Sequence, residues 1–322
     1  MGAPIRQIPK HIRLLTISLL GVALAGCSVN PATGQRQFNL LSRSHEISIG
    51  EDAKTELTET YGGAVQDQRL QEYVTQVGMS MVPHTEADYA SLPWEFTLLD
   101  SEVINAFALP GGKVFITRGL AERFTSEAQL AGVLGHEIGH VTARHANNRI
   151  TNQLIVTGVI VGANVAAGQS DDDLVRVGVP VLTGAVGTGF VLKFNRDEEL
   201  EADALGMRYM ARAGYDPRGQ LEVMQILGDA SGGARGWEIM ATHPHPETRI
   251  DRIQRALQRE YANTQGNPEY QTHEARYQRE FLSRLSRLPR GADEDAGWEA
   301  FARSAGMHAG CTCHAVFGGP VP

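Results

Sequence analysis

The sequence is short of cysteine, of net positive charge and of long apolar runs, and each shortage removes a class of protein. Three cysteines among 322 residues cannot build a disulfide framework. They lie at Cys27, Cys311 and Cys313, so separate roles are expected of them. Lys and Arg total 29 against 37 Asp and Glu, a formal net charge of −8. Nucleic acid is therefore excluded as the main partner, because phosphate binding needs a basic face. No internal repeat is present, and in particular no helical repeat of about 34 residues. Glycine is plentiful, 35 of 322, but without the triplet period of collagen. An apolar fraction of 42% suffices for a packed core. The length admits one large domain or two modest ones.

The amino terminus reads as an address. Arg6, Lys10 and Arg13 precede an uncharged run, Leu14 to Gly26. That run is shorter than the roughly 20 residues of a membrane span and fits the apolar core of an export signal. It ends Leu24-Ala25-Gly26-Cys27, which resembles the lipobox of bacterial lipoproteins. The resemblance implies a signal peptide over 1–26, cleavage before Cys27, and lipidation of Cys27. Several acyl chains on one residue would give a stable membrane anchor. Ser28 in place of Asp implies, by the lipoprotein sorting pattern, the periplasmic side of the outer membrane. An ordinary export signal with an incidental cysteine is the alternative. Residues 27–43 then read as a tether, polar from Asn30 to Leu41.

Helical periodicity runs from Ser44 to Tyr61 and again from Gln68 to Val82, where Leu70, Tyr73, Val74, Val77 and Met81 share a face. Trp94, Phe96 and Leu98 alternate as in a strand, and Ala106–Leu109 with Lys113–Thr117 reads as a hairpin about Pro110-Gly111-Gly112. Ser126 to Gln129 fits a capping box opening a helix to about Asn148, and Asn195 with Glu198 fits another, for a helix ending at Ala213 and Gly214. Leu154–Gly168 and Leu174–Phe194 are apolar and Gly-rich, split by Asp171-Asp172-Asp173. They read as buried or lid-like helices, or as a membrane-dipping hairpin. Further helices are expected near Arg218–Leu227 and Glu247–Tyr261. Residues 263–290 form an extension whose Arg-rich helix, Glu274–Leu288, caps the domain or lies on anionic lipid. Residues 291–322, with Cys311-Thr312-Cys313-His314, read as a disordered tail.

The chemistry is carried by His136-Glu137-Ile138-Gly139-His140. Two histidines four apart on a helix face one way and can hold one zinc ion, with Glu137 beside them to act on a zinc-bound water. Ala143 and Ala146 stand where a metzincin would need Gly and His. A carboxylate from a later helix would instead complete a His₂Glu site with an open position. Glu199 is the first choice, and Asp203, four residues on, shares its face with Ala202 and Gly206. Glu201 ranks second because it faces elsewhere. Gly132, Gly135 and Gly139 each cost the helix about 1 kcal/mol relative to Ala, which points to tight apposition with another helix. His145 lies about 140° round a continuous helix from His140, a surface position or one behind the ligands. His243 and His245 sit between prolines, in an active-site loop or a plain one.

Asn105-Ala106-Phe107-Ala108-Leu109-Pro110-Gly111-Gly112, the HEIGH stretch, Glu199-Leu200-Glu201-Ala202-Asp203, and His243-Pro244 with Arg249 occur in one order. Together they resemble the HtpX-like and CAAX-prenyl-protease superfamily of gluzincin metallopeptidases. The lipobox and Asn30–Gln37 resemble its periplasmic lipoprotein branch, which includes quality-control proteases of outer-membrane assembly. The resemblance implies an α+β zincin-like fold, mostly helical with a small antiparallel-edged β-sheet, over residues 44–262. It implies one Zn²⁺ held by His136, His140 and Glu199, with Glu137 as general base. Asp203 would stand behind a ligand histidine or donate a proton. His243, with His245 as rival, would approach the zinc, to block its open position or assist the transition state. The strand Lys113–Thr117 would receive the substrate backbone. Partners would be polypeptides, chiefly unfolded outer-membrane or periplasmic proteins, with the membrane reached through the lipid. Two features depart from the pattern. The helical-repeat module of some such proteases has no counterpart, and three aspartates interrupt the interval that spans membranes in the integral relatives. A chaperone-like assembly factor with a mostly closed zinc site, and a structural zinc protein, are the rival functions.

Overall fold

The computed structural model describes residues 27–166, 194–230, 239–243 and 246–291. Its first element is a hairpin of β1 (Cys27–Val29) and β2 (Arg36–Phe38), paired antiparallel. Asn30 and Ala32 between them are buried. The side-chain amides of Asn30 and Gln37 donate to the carbonyls of Thr142 (3.0 Å) and Ala143 (2.9 Å). The expected tether over 27–43 is thus anchored to the fold at points, with Asn30, Ala32 and Gln37 buried. Its polarity looks like solvation in the sequence. Here the amides satisfy carbonyls at a helix end that would otherwise lack partners.

Helix α1 (Arg43–Thr60) is capped by Ser42 and α2 (Gln68–Met81) by Asp67. The expected stripe of α2, Leu70, Tyr73, Val74, Val77 and Met81, is buried in the main core. A three-stranded sheet follows: β3 (Glu95–Leu99), β4 (Ala106–Leu109) and β5 (Lys113–Thr117), in the order β3-β5-β4. Strand β5 runs parallel to β3 and antiparallel to β4. The turn uses Gly111 and Gly112 at φ +80° and +91°; a Cβ on Gly111 would also lie 2.6 Å from Ile47 Cα. One expectation is corrected here. Lys113–Thr117 is the central strand, with all five residues buried, and has no side left for a substrate backbone. The antiparallel edge is Ala106–Leu109. Alternation and a turn define a hairpin but do not say which of its strands a distant third will join.

Helix α3 (Glu127–Thr142) carries the two site histidines and is buried along its whole length. It stops earlier than Asn148. Arg144 adopts φ +60°, uncommon for a residue with a Cβ, and its side chain holds the turn by donating to Glu46 Oε1 and the Leu41 carbonyl, each at 3.0 Å. Helix α4 (His145–Ala166) starts afresh. Helix α5 (Arg196–Arg212) shows the full capping box of Asn195 and Glu198, and Gly214 follows at φ +83°. Helices α6 (Arg218–Ala230) and α7 (Pro246–Arg259) complete the body. The helical stretch from Glu274 to Leu285 puts Tyr277, Phe281 and Leu285 into the same core as α2. It therefore caps the domain. Glu127 fastens it, pairing with Arg276 at 3.1 Å while accepting from Tyr73 and Tyr215. No described helix is long and apolar enough to cross a membrane. The expected signal peptide over 1–26, the stretch 167–193, His245, and the tail from 292 with Cys311 and Cys313 lie outside the described residues.

Helices α3 and α5 meet antiparallel and almost backbone to backbone. A Cβ on Gly139 would lie 2.7 Å from the Ala202 carbonyl oxygen, and one on Gly206 would lie 2.8 Å from the His136 nitrogen. Gly135 faces Gly206 in the same seam, whereas Gly132 faces Gln220 of α6. Gly139→Ala is expected to lower stability. Overpacking costs roughly 1–3 kcal/mol, against the roughly 1 kcal/mol that Ala gains in helix propensity. Urea denaturation of the metal-free protein measures the balance, and a stabilised variant would contradict the tight seam.

Candidate metal centre

One helical turn separates His136 and His140 on α3, and their Nε2 atoms lie 3.0 Å apart. Glu199, in the first turn of α5, brings Oε2 to 3.5 Å from His136 Nε2 and Oε1 to 3.4 Å from His140 Nε2. His243 follows the short helix Ile239–Thr242. Its Nδ1 lies 3.2 Å from His136 Nε2 and 3.0 Å from Glu199 Oε1. The four side chains are buried and turn their donor atoms on one point. This set fits a zinc ion. Ligand nitrogens about 2.0–2.1 Å from a tetrahedral centre stand roughly 3.3 Å from one another, and the imidazole nitrogens are spaced close to that. The three expected ligands come together, and His243 joins them.

The surrounding charges suit a cation. Burial resists ionisation of Glu199, but His243 and Arg249 overcome it and hold its carboxyl well below the usual range. Burial drives the His140 ring well below its ordinary value, keeping it neutral as a ligand must be. Asp203 stands behind His136, with Oδ1 2.9 Å from Nδ1, the carboxylate–histidine pairing that orients ligand imidazoles. It also accepts from Gln220 at 2.8 Å and from Arg249 Nε and Nη2, each at 2.7 Å. Burial opposes its ionisation too, yet Arg249 brings it down to about 2. Glu137 differs: neither carboxylate oxygen has a hydrogen-bond partner among the described residues. Burial pushes its carboxyl up, against the pull of His243 and His136.

Glu201 points away from the cluster, toward His145. His145 is buried behind His140, its Nδ1 2.8 Å from His140 Nδ1. The break at Arg144 brings it there, which a continuous helix would not do. Two contributors carry no role in the sequence reading. Arg249 is 2% exposed, and besides gripping Asp203 it places Nη1 2.6 Å from Glu199 Oε2. A signal for it exists: Arg249, Ile253 and Leu257 fall at four-residue steps, and all three are buried, so Arg249 occupies a core position of an amphipathic helix. Phe194 stacks on the His140 ring with centroids 3.8 Å apart. No periodicity announces it. A cleft runs from this ring along the sheet edge, lined by Ala108, Leu109, Val141 and Asn147.

Two histidines on one helix turn, a carboxylate from a second helix and a free glutamate beside them define the layout of a zinc-dependent peptidase. The chain matches peptidase family M48 over residues 68–257, more than half its length, and belongs to that family. Zinc is the metal that M48 metallopeptidases use. The Beta-barrel assembly-enhancing protease of Escherichia coli (strain K12) is 32% identical over 261 residues, covering 76% of this chain and 52% of that protein. The mitochondrial metalloendopeptidase OMA1 of Schizosaccharomyces pombe is 30% identical over 238 residues, 70% of this chain and 65% of that one. The Arabidopsis thaliana OMA1 is 35% identical over 161 residues, 49% and 30%. The chain thus spans about half the length of the assembly-enhancing proteases it matches.

The low Asp203 value has a consequence for stability. An unfolded Asp titrates near 3.9, so the native carboxylate stabilises the fold above that pH, and the benefit is lost as pH falls through about 2. Its size is on the order of 2–3 kcal/mol. Metal-free protein unfolded in urea between about pH 5 and pH 2 should weaken progressively. Asp203→Asn should flatten part of that slope and leave the part due to Glu199. An unchanged slope would contradict the assignment.

Proposed function

We propose that the protein is a zinc-dependent endopeptidase that hydrolyses unfolded or misassembled envelope polypeptides, with Glu137 as general base. The observation that carries this reading is Glu137 itself. A buried carboxylate beside four convergent donors, with neither oxygen engaged by the described residues, has no structural use for its charge. Proton transfer is a use that fits. His136, His140 and Glu199 would hold the ion. Bound zinc would polarise a scissile carbonyl and acidify a water. Glu137 takes a proton from that water and passes it to the leaving amine. Asp203 and Arg249 hold His136 and Glu199 in place throughout. His243 Nε2 also has no hydrogen-bond partner among the described residues and lies 3.6 Å from Glu137 Oε1, near enough to steady an oxyanion in the same space.

An extended peptide can add to the free side of Ala106–Leu109. Main-chain pairing with a sheet edge binds with little sequence selectivity, which suits unfolded substrates. The printed name of the Escherichia coli relative supports a place in the assembly of outer-membrane β-barrels. With Cys27 lipidated, the enzyme would work from the periplasmic side of the outer membrane. A second reading keeps support from His243, whose Nδ1 sits inside the cluster at 3.0 Å from Glu199. A centre held closed in that way would serve a chaperone-like assembly factor.

Glu137→Gln should retain zinc by metal analysis and lose cleavage of casein and of itself by about 10²–10⁴-fold, the range of general acid–base catalysis. Cleavage at the wild-type rate would remove Glu137 from the reaction. Complementation of a deletion strain by the same variant would favour the assembly-factor reading over the protease.

A further inference from the structure

His140 has two ring nitrogens, and only Nε2 faces the donor cluster. From its other nitrogen a line of hydrogen bonds leads outward. Nδ1 lies 2.8 Å from His145 Nδ1. His145 is 1% exposed, and its Nε2 lies 3.1 Å from Glu201 Oε2. The second oxygen of Glu201 accepts from Gln35 Nε2 at 2.8 Å. Gln35 belongs to the amino-terminal hairpin, whose Asn30 and Gln37 also bond the end of the HExxH helix.

Donors and acceptors cannot be exchanged freely along this line. A carboxylate only accepts, so His145 must carry its proton on Nε2. His145 Nδ1 is then an acceptor, and His140 must place its own proton on Nδ1. That leaves the lone pair of His140 on Nε2, where a metal would need it. The reverse arrangement would put a proton on Nε2 and disable the ligand. His136 is oriented by direct contact with Asp203; His140 reaches its carboxylate through an intervening imidazole.

We propose that His145, Glu201 and Gln35 are positioning residues that fix the tautomer and orientation of His140 and so set how tightly the centre holds its metal. The proposal rests on the metal-centre reading above and adds the amino-terminal hairpin to it. Ligand orienters of this kind are worth about 10–100-fold in metal affinity.

The test is a zinc titration of the full chain against a chromophoric chelator, with melting of the metal-free protein measured alongside. Glu201→Ala and His145→Phe should each weaken zinc binding by about 10–100-fold. The double variant should be no weaker than His145→Phe alone, because one line is cut once. Glu201→Gln, which keeps a carbonyl acceptor, should recover much of the loss. Asp197→Ala, on the exposed side of the same helix, should change nothing. Imidazole nitrogen spectra of the zinc form should show the His140 proton on Nδ1 in the wild type. Affinities within about two-fold of wild type in both variants would overturn the proposal. So would losses that add, or a metal-free melting temperature that falls in step with affinity. If His145→Phe does not fold, Glu201→Ala decides, since that side chain is partly exposed. A wild-type chain that binds no zinc would bring down the metal reading and this proposal with it; zinc binding indifferent to the variants would bring down this proposal alone.

Discussion

The distance between two helix backbones governs the site. Gly135 and Gly139 on one helix meet Gly206 and Ala202 on the other, and a Cβ at the tightest point would stand 2.7 Å from a carbonyl oxygen. Because the helices run antiparallel, four-residue steps on one match four-residue steps on the other. Asp203 therefore falls behind His136, while Glu199 reaches between His136 and His140. A seam wider by a methyl group would carry the Glu199 oxygens away from the imidazoles. The helix-propensity cost of the glycines is offset by where they let the carboxylates stand.

Closeness concentrates charge. Glu137, Glu199 and Asp203 are all buried, and Arg249 is the buried cation that reaches two of them. Buried charges are tolerable when each is paired and hydrogen-bonded. Arg249 meets this for Asp203 with two donors, and it pairs by charge with one oxygen of Glu199, whose Oε2 lies 2.6 Å from Nη1. The remaining oxygen of Glu199 and the convergent imidazole nitrogens have the character of a cation site. Metal binding and the stability of this core are therefore linked.

Local spacing made part of this legible in the sequence. The capping residues Ser126 and Asn195, the stripe of α2, the glycine seam and the Glu199–Asp203 face all follow from one-dimensional rules that the chain obeys. What stayed hidden depends on long-range partners. The hairpin 106–117 carries no mark of which strand meets β3, so its pattern does not tell the edge strand from the central one. Asn30 and Gln37 look like solvated polar residues until a helix end 106 or more positions away supplies their carbonyls. Arg249 sat at a core position in plain view, but an arginine there is explained only by two carboxylates on another helix.

The break at Arg144 links the donor cluster to the sheet edge. Nothing in the residues around it forbids a continuing helix, and Arg is a poor choice for a left-handed turn. Its side chain supplies the reason: Glu46 from α1 and the Leu41 carbonyl hold it from one side. Glu46 also accepts from Asn147 at 2.8 Å, fixing the first turn of the next helix. A helix continued through this point would have carried His145 round the surface and away from His140. Stopped here, the chain turns His145 back onto the His140 ring and leaves Asn147 and Val141 to line the cleft beside the outer strand β4. One strained residue thus separates the wall behind the donor cluster from the wall along the sheet edge.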